Sequence, residues 1–185
     1  MLLSSLLTFF FMGSAVSTGA VACNGNAALC SRLYSNVSLI GTHDSAFVGI
    51  LPTDNQDVSV ATQLDDGIRF LQAQTHYFLD ELSMCHTSCY ELYAGTLTSY
   101  LSSIKTWIDD NPNQVVTLLL TNGDFVDVSL FGTAFSSVGL DTYAYTPSEQ
   151  LTMSEWPTLQ QLIHAGTPLV VFLGKFFELG IPRLL

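Results

Sequence analysis

The sequence predicts an α/β fold built on a parallel sheet, and three observations carry that expectation. Short apolar runs of strand length alternate with segments of helical period. Polar residues follow the first three of those runs at matching places. The 185 residues are 48% hydrophobic and only 11% charged, which supplies one buried core and leaves little room for a second domain. The same composition excludes a disordered chain and a coiled coil.

Taken in order, the expected strands are 37–41, 68–72, 82–85, 115–120 and 169–173. Residues 96–109 read as a helix, because Leu97, Tyr100, Leu101, Ile104 and Ile108 recur at three and four residues and Asn111 and Pro112 stop the run. A shorter helix is expected at 158–165, closed by Gly166. The stretch 124–147, rich in Gly, Ser, Thr and aromatics, reads as loop with a short helix near 130–137. There is no internal repeat and no low-complexity linker.

Sixteen acidic residues against five basic ones give a formal charge of −11, and Arg32, Arg69, Lys105, Lys175 and Arg183 are scattered. No cluster of bases exists to neutralise a phosphate backbone, so nucleic acid is excluded as a partner, as is docking on an anionic membrane through a basic patch. From Leu2 to Ala22 the chain is uncharged, and Leu6 to Val16 has the length of a secretory apolar region, too short for a stable membrane span. Ala20, Val21 and Ala22 form a small-x-small cleavage site. Residues 1–22 are therefore expected to be a signal peptide and the protein to be secreted.

All four cysteines, Cys23, Cys30, Cys85 and Cys89, follow that site, and an even number in an exported chain points to disulfides. Three connectivities are open. The short separations favour Cys23 with Cys30 and Cys85 with Cys89, against a four-cysteine zinc site whose usual two-residue spacing is missing. Asn36, Val37 and Ser38 form an N-glycosylation sequon.

His43 and Asp44 follow the first expected strand, Gln72 and Gln74 close the second, and His86 closes the third. Carboxyl ends of parallel strands share one side of the sheet, so these residues are expected to converge there. Two histidines brought together in this way can serve as general base and general acid at neutral pH. His76 reads as a loop histidine, the other reading being that it points into the same mouth, and Asp65 and Asp66 read as solvated residues at the opposite end.

The run Gly41, Thr42, His43, Asp44, Ser45 resembles the first catalytic segment of the phosphatidylinositol-specific phospholipase C X-domain family. Gly67, Ile68, Arg69, Phe70, Leu71 and then His86 are similar to its second strand and second histidine. The stretch from Cys23 to about Leu173 is more closely similar to the secreted fungal phospholipase C-like phosphodiesterases, with Cys85 to Cys89 and Asn111 to Leu120 typical of them. The resemblance implies a TIM-type (β/α) barrel. Such a barrel needs eight strands and about 250 residues, so 23–173 would be its amino-terminal part, with roughly the first five strands. It also implies cleavage of a phospholipid or related phosphodiester, either metal-independent or calcium-assisted. His43 would take a proton from the attacking hydroxyl, Asp44 would support the paired imidazole, and His86 would protonate the leaving oxygen.

Two departures count against activity. Where the family has an acid this chain has Gln72, and where it has an arginine or a second acid this chain has Gln74. Neither glutamine supplies charge to a phosphate or binds calcium strongly, so no metal ligand set is expected and no cofactor is assigned. Gln72, Gln74 and Arg69 remain the expected substrate-binding residues, Arg69 with a structural role as its plainer reading. After Leu173 the chain departs from the family, and 174–185 reads as an unrelated tail. Gly174, Lys175 and Phe176 are encodable by an intron-start sequence, so a retained intron or a faulty gene model is expected, the other reading being a genuine short isoform. The alternatives to an enzyme are a non-catalytic barrel relative with a binding or cell-wall role and an inactive fragment. A glycerophosphodiester phosphodiesterase is the more distant enzyme reading.

Overall fold

The structure, a computed structural model, describes residues 22–175 and 183–184. Apart from Ala22 the expected signal peptide lies outside the described residues, as do 176–182 and 185 of the tail. The elements are β1 (Gly41–Thr42), α1 (Val60–Asp65), β2 (Phe70–Phe78), β3 (Glu81–Cys85), β4 (Tyr93–Thr96) and α2 (Leu97–Asp110). There follow β5 (Val116–Asn122), α3 (Val128–Ser137), α4 (Leu159–His164), β6 (Leu169–Lys175) and β7 (Arg183–Leu184). The strands form one sheet in the order β4, β3, β2, β5, β6, β7, with β1 also on β2. Pairings β1 with β2, β2 with β5 and β5 with β6 are parallel, which is the α/β arrangement expected.

Two expectations about strands need correction. The run 82–85 is not a parallel strand: β2 continues to Phe78, turns through Leu79 and Asp80, and returns as antiparallel β3. Both turn residues are left-handed, with φ of 51° and 63°, the backbone that matches the twist of a two-residue hairpin. Second, of 37–41 only Gly41 is strand, continuing to Thr42, because the partner β2 begins at Phe70 and, among the described residues, those before Gly41 have no strand beside them. Gly41 permits the pairing at all, since a Cβ there would lie 2.9 Å from Phe70 O. Helix α1 and strand β4 had not been expected.

One face of the sheet is apolar. Leu71, Ala73, Met84, Leu118, Leu120 and Val171 pack against Leu97, Tyr100, Leu101, Ile104, Trp107 and Ile108 of α2. Each such buried side chain contributes about 1.5–3 kcal/mol, which is why α2 holds where its spacing placed it. Thr96 caps the helix by accepting from Ser99 N.

The other face carries Phe70, Gln72, Gln74 and His76 of β2, as strand alternation requires. Its amino-terminal end is covered by the segment closed by the Cys23–Cys30 disulfide, with Leu159, Leu162 and Val170 in the same cluster. Tyr34 OH meets Thr117 Oγ1 at 2.8 Å there. The carboxyl end of that face holds the candidate site.

Candidate active site

The turn after β1 is clamped from three elements. Gln63 of α1 accepts from Thr42 Oγ1 at 2.7 Å and donates to Ser45 O at 3.0 Å. On β2, Gln72 O accepts from Ser45 N (2.8 Å) and Ser45 Oγ (3.0 Å). With that hydroxyl proton committed, Tyr100 OH of α2 donates to Ser45 Oγ at 2.7 Å. Burial pushes the Tyr100 phenol well above its ordinary value, so it stays a neutral donor.

Asp44, held between these anchors, has a left-handed backbone (φ 51°) and a fully buried side chain. Asp tolerates that conformation better than most residues. Its N–H donates to Gln72 Oε1 at 2.8 Å. Around Oδ2 lie His43 Nε2 at 3.0 Å, Gln74 Nε2 at 2.9 Å and His86 Nε2 at 3.4 Å. A buried carboxylate is tolerable only with such partners. Its second oxygen, Oδ1, is buried without a hydrogen-bond partner among the described residues.

His86 reaches this carboxylate by a route other than the one expected. Because β3 returns along β2, with Met84 opposite Thr75, its carboxyl end comes back to the level of Gln74. The Cys85–Cys89 disulfide closes the turn that follows. His86 Nδ1 lies 2.9 Å from Thr53 O, a group that can only accept, so Nδ1 carries a proton. Phe47 stacks on the ring at 5.2 Å. His43 is 71% exposed, and its carbonyl accepts from Gln56 Nε2 at 2.6 Å.

The structure thus brings together His43, Asp44, Gln72, Gln74 and His86. It does not bring Arg69, and the substrate-binding expectation for that residue is corrected. Arg69 Nη1 donates to Leu64 O (2.6 Å) and Ile68 O (2.7 Å), and Nε to Gln114 Oε1 (3.0 Å). Its guanidinium sits 4.8 Å over the Trp107 ring at the opposite end of β2. Burial lowers its pKa, with Asp65 opposing the shift. Asp65 itself is a partner of Trp107 Nε1 (2.7 Å).

His76 is a strand residue of β2, not a loop residue. It shares the face of Gln72 and Gln74, a placement that their two-residue spacing signals. Its Nδ1 meets Asp124 Oδ1 at 3.0 Å, and Asp124 Oδ2 accepts from Tyr77 N. Thr53, Gln56 and Phe47, which hold the two catalytic candidates, sit in a loop with no sequence signal of that role.

The donors do not fit a calcium site. Calcium takes six to eight oxygens, whereas Gln72 Oε1 and Gln74 Oε1 accept from Asp44 N and Thr87 N, and one carboxylate remains. Among the described residues no group of three or more His, Cys, Asp or Glu side chains could hold a metal ion. Nor is any helix among them long and apolar enough to cross a membrane.

The family model described as "PI-PLC X 1" matches residues 29–178. Over 176 residues the chain is 48% identical to a PI-PLC X domain-containing protein 1 of Arthroderma benhamiae, covering 94% of this chain and 58% of that protein. It is 44% identical over 159 residues to an uncharacterized secreted protein of the same fungus, covering 84% and 36% respectively. The chain therefore spans less than two thirds of these relatives. The structure resembles phosphatidylinositol-specific phospholipase C from Staphylococcus aureus, with TM-score 0.62, 20% identity, and coverage of 78% of this chain and 50% of that one. The Listeria monocytogenes enzyme gives 0.59 at 16% identity, covering 84% and 58%. These likenesses establish the fold, a mixed α/β sheet that matches about half of the barrel of those proteins.

Proposed function

The chain belongs to the PI-PLC X-domain family, and from that premise we propose that it is a secreted phosphodiesterase that cleaves a phospholipid by general acid and base catalysis. The observation that carries the reading is the convergence of His43 and His86 on the buried Asp44 carboxylate. With Nε2–H directed at Asp44, His43 keeps Nδ1 as its accepting nitrogen. That nitrogen takes the proton from a hydroxyl of the substrate as the hydroxyl oxygen attacks phosphorus. The bond from phosphorus to the leaving oxygen breaks, and that oxygen receives the proton on His86 Nε2. Oxygen acceptors face both nitrogens of the His86 ring, so a ring protonated on both satisfies both contacts, the state a general acid needs.

A lipid substrate is supported by the loop that holds His86. Two residues before Pro52 and Thr53 stand Ile50 and Leu51, which are 99% and 60% exposed. An apolar tip beside the site suits a substrate presented at a lipid surface, and a charge of −11 favours a neutral surface over an anionic one. Secretion is supported by the two disulfides and by the relative named as secreted. A non-catalytic role has its own support in Gln72 and Gln74, which bring no charge to a phosphate.

The test is hydrolysis of phosphatidylinositol in phosphatidylcholine vesicles by protein from a transcript-verified clone, beside soluble glycerophosphodiesters. Release of the phosphorylated head group from vesicles supports the reading. A folded protein that leaves all of these intact favours the binding role.

A further inference from the structure

We propose that Gln74 is a positioning residue that ties the Asp44 carboxylate to the His86 turn, and that it does not contact substrate. The inference rests on the acid and base reading above, and it assigns the glutamine a reason for standing where a charged residue is expected.

The Gln74 side chain is engaged within the protein at both ends of its amide. The residue is 8% exposed, and its Cα is fixed in the middle of the sheet opposite Thr121 of β5. Its Nε2 donates to Asp44 Oδ2 at 2.9 Å, and its Oε1 accepts from Thr87 N at 3.3 Å. Thr87 directly follows His86, has a left-handed backbone (φ 63°), and lies inside the turn closed by Cys85 and Cys89. One amide thus spans the two segments that carry the base and the acid.

Only a side chain that donates at one end and accepts at the other can make this bridge. An ionised glutamate would accept from Thr87 N but would set a second carboxylate against Asp44. An arginine would satisfy Asp44 and leave Thr87 N without an acceptor. Methionine, of similar length, does neither. Gln72 completes the arrangement from two residues away, where Oε1 accepts from Asp44 N and the carbonyl from Ser45. Gln72 fixes the backbone of Asp44 and Gln74 fixes its carboxylate.

The test combines turnover with amide hydrogen exchange in the full protein carrying Gln74→Met or Gln74→Glu. Losing a hydrogen bond to a charged group corresponds to about 10- to 100-fold, so Gln74→Met is expected to lower kcat by that factor with KM within about twofold. Gln74→Glu is expected to have an acid-shifted pH profile, active where its carboxyl is protonated and can donate to Asp44. Exchange at the Thr87 amide is expected to rise in Gln74→Met and to stay near wild type in Gln74→Glu, which retains the acceptor. Unchanged kcat with raised KM in Gln74→Met would make Gln74 a substrate contact and overturn the proposal. Unchanged Thr87 exchange in Gln74→Met would overturn it without reference to catalysis. If Gln74→Met does not fold, the pH profile and Thr87 exchange of Gln74→Glu decide. The expected exchange pattern in a protein that cleaves no phosphodiester would uphold the tether and defeat the enzymatic reading alone.

Discussion

His86 Nε2 faces Asp44 Oδ2 at 3.4 Å, although Asp44 follows the first strand and His86 follows the third. The two meet because β3 runs back along β2, and the Cys85–Cys89 disulfide closes the turn in which His86 then sits. The position of the proposed acid is therefore set by a short covalent loop.

Replacing both Cys85 and Cys89 with Ser is expected to cost about 2 kcal/mol of stability, the loop-closure value for so short a loop. Turnover should fall further than stability accounts for, because the turn that carries His86 loosens. Thermal unfolding and kcat measured on the same preparation check this. Full turnover in the double variant would show that the disulfide does not position His86.

Arg69→Leu removes three hydrogen bonds and the stack on Trp107. A loss of roughly 1.5–3 kcal/mol is expected from bonds to a charged group, read by urea unfolding. KM should be unchanged in the folded fraction. A raised KM at unchanged stability would return Arg69 to the substrate.

Tyr100 gives a prediction about alkaline pH. Its folded pKa is raised above the ordinary 10.0, chiefly by burial, so its contribution to stability is complete below pH 10 and is lost as pH rises beyond it. The slope is about 1.4 kcal/mol per pH unit. Tyr100→Phe should be less stable than wild type at neutral pH by about 1 kcal/mol, because Ser45 Oγ loses its donor. The gap should close above pH 10. A gap constant to pH 11, measured by denaturant unfolding, would contradict a buried neutral phenol.

How much of this was legible in the sequence depended on the kind of signal each element carries. Helix α2 was legible because six buried side chains recur at helical spacing, and the parallel core because β5 and β6 are largely apolar runs of strand length and β2 opens on the apolar Phe70 and Leu71 before its polar residues alternate. The direction of β3 was not, since its hairpin turn is Leu79–Asp80 and lacks the Gly or Asn that marks such turns. Strand β4 reads Tyr93, Ala94, Gly95, Thr96 and has no strand pattern. The site residues were legible as types: His43, Asp44 and His86 do meet. The roles of the glutamines were not, because an uncharged side chain suggests a missing charge and says nothing of an amide with both ends occupied.

The apolar tip of the loop after β1 separates lipid from soluble substrates. Ile50→Ser with Leu51→Ser should lower the rate on vesicles severalfold and leave the rate on a monomeric short-chain substrate unchanged, since both side chains are exposed and contribute little to the core. Equal losses on the two substrates would show that the tip acts on chemistry and not on the lipid surface.

The central claim, that two histidines on one buried carboxylate cleave a phosphodiester, is tested most directly by phosphorus NMR of phosphatidylinositol turnover. Wild type, His43→Ala and His86→Ala would be compared after each is shown to fold. The account predicts cleavage by wild type and a loss of about 10² to 10⁴ in kcat for each variant, the usual worth of a general acid or base. Wild-type turnover in either variant would contradict it.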